Sequence, residues 1–63
     1  MNITASEIYR MQRIIDNLQN IITISDKGLR SNFHPDDYKS INNLLENTTL
    51  EFYLINESIN ERI

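Results

Sequence analysis

Sixty-three residues without a cysteine and with one histidine exclude a disulfide framework and leave no thiolate for a structural zinc site. A chain this short buries a modest part of its surface and depends on regular helix packing, on association with another chain, or on both. One glycine, one proline and a 40% hydrophobic content disfavour a turn-rich all-β fold and disfavour disorder, and the formal charge of −3 disfavours nucleic acid as a partner.

The first element opens on Thr4-Ala5-Ser6-Glu7, the pattern of a capping box. A hydroxyl at the N-cap and a carboxylate three residues on each accept one of the free backbone N–H groups, and Ile3 is placed to act as a hydrophobic staple. Apolar residues then recur at Ile8, Met11, Ile15, Leu18 and Ile22 at alternating spacings of three and four, widened by Ile14 and Ile21. This periodicity predicts a helix over about 4–24 with one broad apolar face. The run Ile21-Ile22-Thr23-Ile24 is β-branched throughout and also suits the end of a short strand, but the stripe continues through Ile22 and favours helix.

Residues 25–34 read as a connection. Gly28 is placed to stop the first helix in a positive-φ conformation, and Leu29 and Phe33 are apolar residues that cap the core end. Pro35 suits the first turn of a second helix, with Asp36 and Asp37 where the helix dipole favours negative charge. Tyr38, Ile41, Leu45, Thr48, Phe52, Ile55 and Ile59 then form a heptad seam over three repeats, predicting a helix over about 35–61. Two helices joined by a short connector lie antiparallel. The expected architecture is therefore a single all-α domain over 1–63, an antiparallel helical hairpin assembling into a four-helix bundle.

Charge is divided between the halves. Residues 1–30 hold Arg10, Arg13, Lys27 and Arg30 against Glu7, Asp16 and Asp26, a net of +1. Residues 31–63 hold Lys39 and Arg62 against Asp36, Asp37, Glu46, Glu51, Glu57 and Glu61, a net of −4. Opposite signs favour the pairing of antiparallel halves. The basic residues of the first half also form a small area able to meet phosphate or an acidic partner.

No constellation points to catalysis. His34, Asp36 and Asp37 are the only cluster with ligand character, and they read better as a polar helix start than as a metal site or an acid–base pair. One glycine cannot build a phosphate-binding loop. The sequons at Asn2, Asn47 and Asn56 read as chance in an asparagine-rich chain. No enzyme activity, cofactor, metal or small-molecule substrate is expected. Met1 to Glu7 does not read as a signal peptide, no apolar run reaches the length of a membrane span, and the absence of cysteine fits a cytoplasmic setting.

Leu50, Tyr53 and Leu54 lie away from the main seam and are expected to be exposed in a lone hairpin. Grouped apolar residues on a small protein mark a contact surface. They are the expected partner-binding residues, with Leu29 and Phe33 of the connection as further candidates. The expected function is a non-enzymatic protein–protein interaction module, a regulator, inhibitor or assembly chaperone, working as a homodimer or on a larger protein.

The opening Met1-Asn-Ile-Thr-Ala-Ser-Glu7, the stretch Ile21-Ile-Thr-Ile24 and the later His34-Pro-Asp-Asp-Tyr38 together resemble Phd/YefM-type antitoxins over roughly residues 1–41. The chain departs from that pattern at Ile8 and Tyr9, where the family has alanine and arginine. The resemblance implies a short strand at 21–24, dimerisation and operator-DNA contact by the N-terminal half, and a C-terminal half that wraps and neutralises a toxin.

Overall fold

A computed structural model describes residues 2–63 as two α-helices, α1 over Ala5–Arg30 and α2 over Pro35–Arg62, packed antiparallel as a hairpin. There is no strand among the described residues. Met1, the first residue of the antitoxin-like opening, lies outside them.

The start of α1 follows its capping box. The Glu7 N–H donates to Thr4 Oγ1 at 3.2 Å, and the Thr4 N–H donates to Glu7 Oε1 at 3.0 Å. The start of α2 uses a second box, with His34 as the N-cap. Its Nδ1 accepts from the Asp36 N–H at 3.1 Å, while the Asp37 carboxylate accepts from the His34 N–H at 3.0 Å. Pro35 fills the first helical position, where a missing N–H costs nothing. The cluster His34, Asp36 and Asp37 is thus a helix start.

The end of α1 departs from expectation. The helix does not stop near Ile24. It passes through the β-branched run and through Gly28 to Arg30, and Gly28 has no positive φ. The strand that the antitoxin resemblance implies at 21–24 is helix. Backbone hydrogen bonding continues through Ser25 and Asp26, and Lys27 and Arg30 complement the dipole in the last turn. Glycine is needed at 28 for space instead. A Cβ there would run into the Phe33 ring, which folds back over the helix and stacks on Tyr38 with centroids 5.1 Å apart. The extension also matches the helices in length, at 26 and 28 residues, so they pair along their whole extent.

The packing seam is rotated from the one the sequence pattern suggests. On α1 the residues turned toward α2 are Glu7, Ile14, Ile21 and Gly28, with Asn17 and Ile24 beside them. On α2 they are Asp37, Ile41, Leu44, Thr48, Glu51, Ile55 and Ser58. Ile41, Thr48 and Ile55 are common to both versions of the seam. Tyr38, Leu45 and Phe52 are displaced outward in favour of Leu44, Glu51 and Ser58. The physical reason is breadth. An apolar stripe this wide exceeds what one neighbouring helix can cover, and each helix turns inward the edge whose charged residues find partners. Among the described residues, Ile14 and Ile55 are the buried apolar side chains, each 6% exposed.

A candidate interaction surface

Charged side chains from α1 and α2 meet in three places. At the open end of the hairpin, Glu7 is 1% exposed and receives Arg62 and the Ser58 hydroxyl. Arg62 Nη2 also donates to Glu7 Oε1 at 2.8 Å and to the Asn2 carbonyl at 3.1 Å. The Arg62 guanidinium, the Ser58 hydroxyl and the Thr4 N–H hold the Glu7 carboxyl down at about 2. In the middle, the buried Glu51 takes Arg10 at 3.0 Å and Arg13 at 3.2 Å, one on each oxygen. At the turn, Lys27 reaches Asp37 at 3.2 Å. The His34 N–H first, and Lys27 second, lower the Asp37 carboxyl below its ordinary range.

These contacts settle two expectations. The charge asymmetry between halves does act in antiparallel pairing, because Arg10, Arg13 and Lys27 of α1 meet Glu51 and Asp37 of α2. For the same reason the basic area of the first half is not a free patch, since three of its four cations are engaged within the chain. Thr48 is buried in the seam and its hydroxyl also donates to the Leu44 carbonyl at 2.7 Å, so it is satisfied locally. Asn17 differs, because its buried Nδ2 has no hydrogen-bond partner.

The remaining apolar residues gather on one side. Ile8, Ile15, Leu18 and Ile22 of α1 are exposed, Ile22 by 59%. Leu45 and Phe52 of α2 are exposed, Phe52 by 52%, with Tyr38 above and half-buried Ile59 below. Both sets lie on the same side of the hairpin. Met11, Ile14 and Ile15 line one wall of an open groove there, and Phe52, Ile55 and Asn56 line the other. The heptad positions that continue this face add Met11, Ser25 and Leu29 on α1 and Asn42, Thr49 and Asn56 on α2. Among the described residues it carries no charged side chain over the length of both helices. The opposite side carries the charged residues Arg13, Asp16, Glu57 and Glu61 at its flanks and an open groove edged by Asn20, Thr23, Ser40 and Asn43, with Ile24 and Leu44 among its lining.

The expected contact residues are distributed differently. Leu50 and Tyr53 are exposed and Leu54 is half-buried. Leu50 and Leu54 share the polar flank, one turn apart, while Tyr53 stands at the outer rim of the apolar face. Leu29 belongs to the last turn of α1, not to a connection, and extends the apolar face toward the turn. Phe33 is occupied against Gly28 and Tyr38. The larger surface was present in the sequence as the two alternating seams, there assigned to the intramolecular core. No helix is long and apolar enough to cross a membrane among the described residues. No family model, no curated protein and no solved structure matches this chain.

Proposed function

We propose that the protein is a small non-enzymatic interaction module that acts through helix-to-helix contacts, as a regulator, inhibitor or assembly chaperone. Its working surface is the charge-free face, and two further helices docked there complete a four-helix bundle. The observation that carries this reading is the choice of seam. The hairpin turns Glu7, Glu51 and Thr48 inward while Ile8, Ile15, Ile22 and Phe52 stay in water. A charge-free and mostly apolar face of this extent on a small chain, broken by Ser25, Asn42, Thr49 and Asn56, supports a contact surface. The titratable groups that converge are consumed as structural ion pairs, Glu7 with Arg62 and Glu51 with Arg10 and Arg13. That supports binding over catalysis. Leu50 and Leu54 form a second and smaller contact patch on the opposite flank.

The test is apolar-dye fluorescence together with sedimentation on the full chain, beside Ile15→Glu with Phe52→Glu and, separately, Leu50→Glu with Leu54→Glu. The reading expects either self-association or dye binding, abolished by the first pair of substitutions. A chain that does neither, or whose association is lost only in the second pair, would show that the charge-free face is not the working surface. The antitoxin-like alternative rests on a strand at 21–24, which is helical here.

A further inference from the structure

We infer that the occupant of the charge-free face is a second copy of this chain, related by a two-fold axis parallel to the helices, so that both turns lie at the same end. This rests on the reading of that face as the working surface and adds the identity and alignment of the partner.

The first argument is area. The chain exposes 4959 Å² for a mass of 7.5 kDa. A compact monomer of that mass exposes about 4,200 Å². The excess of about 700 Å² is close to the roughly 800 Å² that each partner contributes to a standard interface. Shape agrees, since the radius of gyration is 14.7 Å in a body of 47 × 14 × 12 Å, against about 11 Å for a compact chain of this length. A single added hairpin on the apolar face thickens the thin direction and removes the excess.

The second argument is self-complementarity. The ion pairs fix the levels of the two helices, with Lys27 beside Asp37, Arg13 beside Glu51, and Glu7 beside Ser58. In the same register Phe52 falls level with Met11 and Ile15, and Leu45 with Leu18 and Ile22. A two-fold axis along the helices lays α1 of one copy on α2 of the other at matching heights. Phe52 and Leu45 of α2 then each seat between two apolar residues of the partner's α1. A face without charge offers nothing to steer an unlike partner, whereas it meets its own copy without leaving any buried charge unpaired.

The third argument fixes the alignment. Among the described residues, the charges at the rim of the face are Asp26 on α1 and Lys39 and Glu46 on α2. With both turns at one end, Asp26 comes level with the Lys39 position of the second copy, and Glu46 with the Gln19 position. With the turns at opposite ends, Asp26 and Lys39 meet only uncharged residues. Rim charges of this kind set orientation more than affinity.

The experiment uses the whole chain. Sedimentation equilibrium over a concentration series gives the mass, and a spin label on Asn32→Cys, in a protein with no native cysteine, gives the distance between turns. The expected result is a dimer with labels within roughly 20 Å, as two helix spacings allow. Labels separated by about the 47 Å length of the hairpin would refute the alignment. A monomer that binds an apolar dye would refute the second copy while leaving the face available to other helices. A monomer that binds none would remove the functional reading as well. Ile15→Glu and, independently, Ile22→Glu are expected to give folded monomers, because both side chains point away from the hairpin seam. A dimer that survives both would place the contact elsewhere.

Discussion

Truncating two adjacent isoleucines separates a covered face from an open one. Ile14 is 6% exposed and Ile15 is 46% exposed in the hairpin. Ile14→Ala deletes three buried carbons, a transfer loss of about 2.4 kcal/mol at about 0.8 per methylene. With the cavity left behind, the cost is about 3 kcal/mol. In a lone hairpin Ile15 has already left half of its surface in water and its site opens to solvent, so Ile15→Ala costs about 1 kcal/mol. If a second chain covers the face, Ile15 is as buried as Ile14, and the two truncations cost about the same per chain. The assay is urea unfolding followed by far-UV circular dichroism at two protein concentrations at least tenfold apart. The expected outcome is near-equal costs and a wild-type midpoint that rises with concentration, because association stabilises by mass action. A threefold smaller cost for Ile15→Ala, with a midpoint independent of concentration, would refute the covered face.

Other consequences are local. Gly28→Ala improves helix propensity by about 1 kcal/mol on an open helix, but here its Cβ meets the Phe33 ring, so the midpoint should fall. In a Phe33→Ala background the same substitution should raise it, and an additive double-mutant cycle would contradict the contact. Asn17→Leu should stabilise the chain by about 1 kcal/mol or more, because it removes a buried amide nitrogen that lacks a partner. A loss of stability would mean that the amide is satisfied in solution. Glu7 has a folded pKa of about 2, below its ordinary 4.5, so its contribution is complete above pH 4.5 and is lost as pH falls toward 2. Glu7→Gln should flatten that part of the acid limb in a pH series of unfolding midpoints. An acid limb identical to wild type would refute the role of the Arg62 contact.

Much of the hairpin was legible because its signals are local. Thr4 and Glu7 announce the first cap, Pro35, Asp36 and Asp37 announce the second start, and three-and-four spacing announces both helices. His34 as an N-cap was missed, although an aspartate three residues after it was the available sign. The helix passes through Gly28, where the sequence suggests a stop, because glycine serves either a positive φ or a close approach and sequence does not say which. Here the Phe33 ring decides. The exposure of Leu50 and Tyr53 is legible from their place off the regular seams, whereas the larger exposed face made by the seam residues Ile8, Ile15, Ile22 and Phe52 is not, because periodicity assigns those residues to the core.

Two amphipathic helices, the Thr4 cap of the first, the Pro35 start of the second and their antiparallel order are encoded locally, because propensity, capping and periodicity act within a few residues of chain. Which edge of each broad stripe faces the other helix was decided only by tertiary structure. That choice depends on pairs far apart in sequence, Glu7 with Arg62 and Glu51 with Arg10 and Arg13. A carboxylate enters a helix interface only when its counter-charge arrives with it, and periodicity along one helix carries no information about what the other brings.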